Sequence, residues 1–517
     1  MEYKCITRIQ MSITTPDPDT DLASYAGSLS AESTSAEITV VENPLALPDN
    51  RLRLGELRAE ILYHDESGLP KIKVTAFSAY LIELFKPITI SGVLWIYDHT
   101  TGLYKQNDHH VEAEIQRVLD EMLYRGPVVA LKKDLVSRLT DYRVVEESPF
   151  DLVAGIPARD GIVEPQPEGG VSLVPYGPSQ FVRVRAATPY ADAPESFPEG
   201  ERFFREISCG DPAWERNLFR ILGYCLLLGN PSQKFFVLHG SGGNGKGVLI
   251  EWVMRTVGQL AGRVAPRELF CGNTAAQETT LAGNAHRRLL VVSEAGGGVL
   301  NDDLLKRLTG DAVVTLNAIY AGEREYRVNG TLVFVTNSLP VFSSGGKGMM
   351  RREVCIPFDL DVAPDAQDEG LLERLATPEG NRWLLGKMVA GAREYVEAVS
   401  KSGFWGSLCP RIMGDSRDVL AGQDSLGEFV RVCLVREERA RTPGREVFAR
   451  WYAWEFGDEQ EVHEARGGKG LRRNASATEL YAGMRMRGID VRKRMRVGGR
   501  METNVLMDWR LGDEGEV

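Results

Sequence analysis

Lys234-Phe-Phe-Val-Leu-His239 runs without a break into Gly240-Ser-Gly-Gly-Asn-Gly245-Lys246-Gly247 and on into Val248-Leu-Ile-Glu-Trp-Val-Met-Arg255. The first segment is a short apolar run, the form of a buried strand. The last has helical character. Between them Gly240, Ser241, Gly242, Gly243, Asn244, Gly245, Lys246 and Gly247 make a GxxxxGK loop. A glycine loop between a strand and a helix lets backbone N–H groups converge on the β- and γ-phosphates of a nucleotide, and the helix N-terminus adds positive potential. Lys246 is then expected to neutralise the γ-phosphate. The residue after it is Gly247, where such loops usually carry the Ser or Thr hydroxyl that binds Mg²⁺.

Downstream, Arg288-Leu-Leu-Val-Val-Ser-Glu294 is an apolar strand ending in a carboxylate. That is the form of a second ATPase motif, so ATP and Mg²⁺ are the expected ligands and Glu294 the expected metal and water ligand. Leu304-Leu-Lys306-Arg-Leu-Thr309-Gly310-Asp311 follows, then a polar hairpin-like stretch from Tyr320 to Arg327. Thr331-Leu-Val-Phe-Val-Thr-Asn337 is a third apolar strand, and its terminal Asn suits a water-orienting role. Paired arginines, Arg351 and Arg352, precede the strand Glu-Val-Cys-Ile-Pro-Phe358. In that place they can serve the γ-phosphate of a neighbouring subunit.

This order resembles a superfamily 3 helicase of the phage/plasmid primase–helicase family, which includes the poxviral primase–helicase. The matching elements are GSGGNGKG, the strand ending Ser293-Glu294, LLKRLTGD, TNSLP and MRREVCIPF, within about 125 residues. Upstream, Glu215 to Leu228 and Ile156 to Val163 also resemble the family, with Asp160 where an Asn is usual. The resemblance implies an AAA+-like P-loop ATPase core assembled as a ring, usually a hexamer, on single-stranded or forked DNA. It implies that Lys246 binds phosphate, Glu294 serves metal and water, Asn337 senses the γ-phosphate, and Arg352, with Arg351 beside it, reaches the next subunit's ATP. Lys306 is a DNA-side or site-supporting candidate. Arg324 or Arg327 replaces the basic residue that the family often has shortly before Tyr320.

The chain has 517 residues, too long for one core, so several domains are expected. Residues 1–50 read as a disordered acidic tail, because 9–50 contain no Lys or Arg and are rich in Ser, Thr, Asp, Glu and Pro. Residues 51–205 read as an α+β N-terminal domain, with helical periodicity at Val74–Phe85 and His110–Tyr124 and a hairpin around Asp98–Gly102. The histidines there have no metal-ligand spacing. Residues 206–405 read as the α/β ATPase domain.

Net charge is −11, yet residues 466–500 carry eleven Lys/Arg against two acids. Within 420–517, a helix from Pro443 to Phe456, a capping box at Ser476–Glu479 and a basic hairpin at Val491–Trp509 form a winged-helix pattern. Arg492, Lys493, Arg494 and Arg496 are its expected phosphate contacts.

The seven cysteines form no CxxC pair, which favours a reducing compartment. With neither a signal peptide nor a membrane-length apolar run, the expected location is cytoplasmic, the host cytoplasm for a viral or plasmid element. The only close acidic triplet, Asp17, Asp19 and Asp21, lies in the tail, so a separately encoded primase or polymerase is the expected partner. Two rivals stand beside a replicative helicase: an origin-binding or loader ATPase that assembles on DNA without unwinding, and a P-loop phosphotransferase.

Overall fold

The structure is a computed structural model that describes residues 38–40, 57–146, 148–166, 170–270, 281–294, 299–310, 313–318, 322–337, 339, 341–342, 351–363, 367–423, 425–456, 480–481, 484–485 and 488–512. These fall into two compact units, one running to Met413 and one from Gly414 onward. Of the tail, only the strand β1 (Ile38–Val40) is described; the Asp17–Asp21 triplet lies outside the described residues.

The first unit begins with β2 (Leu62–His64), β3 (Pro70–Ile72), α1 (Val74–Phe85), β4 (Ile88–Ile90), β5 (Val93–Asp98), β6 (Leu103–Gln106), α2 (His110–Glu121), α3 (Val128–Tyr142) and β7 (Val144–Val145). Both helices expected from periodicity are present. In α2 the buried Val111, Ile115, Val118 and Leu119 form one stripe, packed with Phe77 and Leu81 of α1. The expected hairpin is β5–β6, closed by Gly102 at φ 73°.

A second sheet holds β8 (Ile156–Ala158), β9 (Gly161–Gln166) and β10 (Gly170–Val174), with β1 parallel to β10. The Asp160 carboxylate accepts from the Tyr190 and Ala191 N–H groups at 2.8 and 2.9 Å, which fixes the β8–β9 turn against the next loop. Ile156, Val163, Val171 and Leu173 belong to the same apolar core as Phe204, Trp252 and Trp383. The boundary expected at residue 205 therefore runs through the middle of one core.

Then come α4 (Pro198–Ile207), α5 (Pro212–Tyr224), β11 (Phe235–His239), α6 (Lys246–Val257), β12 (Ala261–Arg263), β13 (Leu289–Ser293), β14 (Val299–Leu300), α7 (Asp302–Gly310), β15 (Val313–Ala318), β16 (Gly322–Arg327), β17 (Thr331–Thr336), β18 (Val341–Phe342), β19 (Glu353–Pro357), α8 (Leu371–Leu375), α9 (Pro378–Gly406) and α10 (Pro410–Gln423). A five-stranded sheet in the order β12-β13-β17-β11-β19 is parallel throughout. Its strands are near-continuous apolar runs because helices cover both faces of such a sheet. The result is a mixed α/β fold. Helices α5 and α9 cross backbone to backbone. A Cβ on Gly223 would lie 2.2 Å from the Ala392 N, and one on Gly391 would lie 2.1 Å from the Phe219 O.

The second unit contains α10 from Gly414 onward, α11 (Ser425–Cys433), β20 (Leu434–Thr442), α12 (Gly444–Phe456), β21 (Val491–Val497) and β22 (Arg500–Leu511), with sheet order β20-β22-β21. Phe429, Val447, Leu480, Met484, Val491 and Leu506 close its core. The strand β20 was not anticipated from sequence. No helix among the described residues is long and apolar enough to cross a membrane.

Candidate functional site

Strand β11 lies between β17 and β19 and delivers the chain into the glycine loop at the carboxyl edge of the sheet. Gly242, Gly243 and Gly245 have φ of 94°, 63° and 83°, a region that residues with a Cβ rarely enter. At Gly240 the constraint is contact: a Cβ would meet the Phe358 O at 2.3 Å. At Gly247 a Cβ would meet nothing within 4 Å, so packing leaves that position open.

Lys246 opens α6 and is buried, 4% exposed. Its Nζ donates to the Gly240 O at 3.0 Å and to the Asn244 Oδ1 at 2.7 Å. Burial pushes its pKa down from the usual lysine value. The Asn244 Nδ2 donates to the Phe358 O at 3.0 Å. The helix behind the loop is braced: the Trp252 ring stacks on Trp383 at 5.9 Å, and its Nε1 donates to the Asn381 Oδ1 at 3.0 Å.

Two other strand tips share this edge. Glu294 follows β13, is exposed, and sits at φ 58° with its N–H donating to the Val335 O at 2.9 Å. A left-handed non-glycine residue at a strand tip is the kind of strain that collects at functional sites. Asn337 follows β17 and is also exposed. A Cβ at Gly242 would lie 3.8 Å from the Asn337 Nδ2, so this side chain stands beside the loop. Because β17 separates β13 from β11, the three tips are neighbours. Parallel α/β sheets bind ligands outside this edge.

Arg351 and Arg352 are not brought to the loop of their own chain. They precede β19, at the amino edge of the sheet. Arg352 is buried, and its Nη1 donates to the Thr309 Oγ1 of α7 at 3.0 Å. Arg351 is exposed, and its carbonyl accepts from the Nζ of Lys234. Lys234 is buried against Phe404 and Trp405, with its Nζ 4.7 and 5.0 Å from the ring centres. Burial, reinforced by Arg351 and Arg352, pushes its pKa down to about 8. Sequence reasoning passed over Lys234 because a lysine before a strand gives no signal of burial.

Lys306 on α7 is half-exposed and pairs with Asp303 at 3.4 Å. The expected hairpin near Tyr320 starts earlier, with β15 and β16 paired from Val313↔Arg327 to Ala318↔Gly322. Arg327 is half-buried at its base. Arg324 faces Leu316 in register, and its side chain lies outside the described residues. In the second unit Arg492, Lys493, Arg494 and Arg496 are all exposed on β21. Gly498 and Gly499, at φ 54° and 85°, make the tight turn into β22. The Arg492 Nε donates to the Asp490 Oδ2 at 3.2 Å. The Ser476–Glu479 capping box lies outside the described residues.

Among the described residues no three His, Cys, Asp or Glu side chains group as a metal site. A Mg²⁺ ion that arrives with a nucleotide needs only one or two carboxylates besides phosphate oxygens, and Glu294 is an exposed carboxylate at this edge.

Residues 238–352 match a family of unknown function (DUF5906), a span running from the end of β11 to the arginine pair. The putative helicase L207/L206 of Acanthamoeba polyphaga mimivirus is 26% identical over 243 residues, 46% of this chain and 24% of that protein. The matched stretch thus spans about a quarter of that relative's length. Two apo structures of the NrS-1 C-terminal region superpose with a TM-score of 0.40 at 9% and 12% identity, covering 84% of this chain and 98% of theirs.

Proposed function

We propose that this chain is an ATP-driven DNA helicase of a virus, prophage or plasmid, with an AAA+-like P-loop core of superfamily 3 type that works as a ring, usually a hexamer, on single-stranded or forked DNA. The observation that carries this reading is the meeting of three strand tips at one sheet edge: the Gly240–Lys246 loop, Glu294 and Asn337. Lys246 takes the phosphates, Glu294 orients and polarises the attacking water, and Asn337 reads the γ-phosphate. Glu294 would help to hold a Mg²⁺ that arrives with the nucleotide, and such an ion would supply charge neutralisation at the transferring group. The mimiviral relative is itself named a putative helicase, which points the same way.

The arginine turn at the opposite edge suits a contribution to a neighbour rather than to the same chain. Of the pair, Arg351 is the exposed member and the better candidate for a finger. The β15–β16 hairpin, with Arg324 and Arg327, and Lys306 are candidate DNA contacts within the ring. The element order of the second unit, helix–strand–helix followed by a two-stranded hairpin, supports reading it as a winged helix. Its exposed Arg492, Lys493, Arg494 and Arg496 suit phosphate contacts that carry little sequence information. A separately encoded primase or polymerase, in the host cytoplasm, completes this reading.

Lys246→Ala is the primary test. ATP turnover stimulated by single-stranded DNA is expected to fall at least about 100-fold, as for loss of a principal transition-state charge. Turnover at the wild-type rate would sink the proposal. A second reading, an origin-binding or loader ATPase, is favoured by Gly247, where no side chain offers the metal a hydroxyl. Slow ATP turnover with ring assembly but no strand displacement would select it.

A further inference from the structure

Asn244 lies in the glycine loop, two residues before Lys246. Its side chain does two things at once. Its Oδ1 accepts from the Lys246 Nζ at 2.7 Å, and its Nδ2 donates to the Phe358 O at 3.0 Å. It is 2% exposed, so both bonds lie away from solvent. Phe358 directly follows β19 and continues its pairing with β11, donating its N–H to the His239 O at 2.8 Å. At the other end of the same strand, the Phe235 N donates to the Arg352 O at 2.9 Å and Lys234 holds the Arg351 carbonyl. A five-residue strand, Glu353–Pro357, thus separates the arginine turn from the carbonyl that Asn244 holds.

We propose that Asn244 is a positioning residue that holds Lys246 within the loop and ties any movement of Lys246 toward a phosphate to the strand carrying Arg351. This rests on the ATPase reading above and deepens it. The Lys246 ammonium has three N–H donors and uses two in the loop, so a phosphate takes the third or displaces one of the two acceptors. When the displaced acceptor is Asn244, a buried amide oxygen loses its donor. A buried acceptor without a donor is costly, so the carboxamide reorients. Its other end is the donor to the Phe358 O, so the reorientation is felt at the end of β19. The two arrangements differ in one buried hydrogen-bond set, which is the discrete, two-state character that coupling between sites requires. A rigid paired strand then carries the change to the turn offered to the neighbouring subunit.

The test separates affinity from turnover. In the full chain, a fluorescent ATP analogue gives Kd, and ATP hydrolysis with single-stranded DNA gives kcat. Asn244→Ala frees Lys246 from one loop contact but cuts the tie to β19. Its Kd is expected to stay within about threefold of wild type or to tighten, while kcat falls roughly tenfold. Asn244→Ser, which keeps a small acceptor but cannot span to Phe358, is the second variant and is expected to show the same split. It decides the question if the alanine variant melts before it can be assayed. Affinity and turnover that fall together by one factor, or that both stay at wild type, would overturn the inference. A wild-type protein that binds no nucleotide would instead overturn the ATPase reading itself.

Discussion

At the carboxyl edge of the five-stranded sheet the strands end in Gly240, Glu294 and Asn337; at the amino edge three of them begin directly after a buried cation, Lys234, Arg288 or Arg352. The first edge is made of small or exposed polar groups and is open to a ligand. At the second, positive side chains point inward. Lys234 bonds the Arg351 carbonyl, Arg352 bonds the Thr309 hydroxyl, and Arg288 bonds the carbonyls of Leu226 and Val153 at 2.6 and 2.7 Å. Chain that enters a buried strand brings carbonyls that need donors, and a long cationic side chain satisfies them while burying its own stem. A cation immediately before a parallel strand is therefore weak evidence for ligand binding, and this bears directly on the arginine pair.

The sharpest way to break the comparison is to remove each arginine separately. Arg352→Ala deletes a buried, charged hydrogen bond and leaves space against Gly310, and is expected to cost about 2 kcal/mol of stability. Arg351→Ala, at an exposed side chain, is expected to change stability by less than about 0.5 kcal/mol. It should nonetheless lower turnover, and Arg351→Ala subunits mixed with wild type should depress the rate of the mixture. Thermal melting and mixed-subunit ATPase assays decide. If Arg352→Ala is the neutral one in melting, the inward placement of that side chain does not hold in solution.

Lys234 gives a smaller, pH-dependent effect. Its pKa, ordinarily 10.5, is held near 8 by burial first and by the two arginines second. In the folded chain it gives up its proton near pH 8, while the unfolded chain keeps it up to about 10.5. Between these values the unfolded state binds more protons, so this group makes stability rise with pH. Below pH 8 the buried charge is a standing cost. Lys234→Met, similar in length and uncharged, is therefore expected to melt at or above wild type near neutral pH, by up to about 1 kcal/mol. The gap should close between pH 8 and 10.5 as wild type gains. A variant-minus-wild-type difference that stays flat across that window would show that the ionisation of Lys234 is not linked to folding.

These positions also mark how far the sequence can be read. The loop, the two polar strand tips and the helices of the N-terminal region were legible because each is a local pattern: glycine spacing, an apolar run with a polar end, a 3.6-residue stripe. The basic hairpin at Val491 to Trp509 was legible for the same reason, with Gly498-Gly499 as its turn. The edge strand β20 was not. Its sequence, Leu-Val-Arg-Glu-Glu-Arg-Ala-Arg-Thr, is charged and mostly exposed, as edge strands often are, and has no apolar alternation to find. The change in composition at residue 205 does not coincide with a gap in packing. Val163 and Trp252 share a core that no local pattern announces. The inward turn of Arg352 depends on Thr309, 43 residues earlier in the chain, and no spacing rule links the two.

The smallest expected effect concerns the open edge and the residue that departs from the usual loop. Gly247 sits in the first turn of α6, and a Cβ there meets nothing within 4 Å. The missing hydroxyl is therefore not forced by packing. Ser has a better helix propensity than Gly, so Gly247→Ser is expected to be neutral or to stabilise by about 0.5 kcal/mol. Its informative effect lies elsewhere. If Glu294 and the phosphates hold the metal without help, the serine hydroxyl adds a ligand, and the Mg²⁺ concentration for half-maximal turnover should fall severalfold with little change in kcat. If that concentration is unchanged while the protein remains folded, the metal does not sit beside position 247, and the open edge differs from other phosphate loops in where it places its cation.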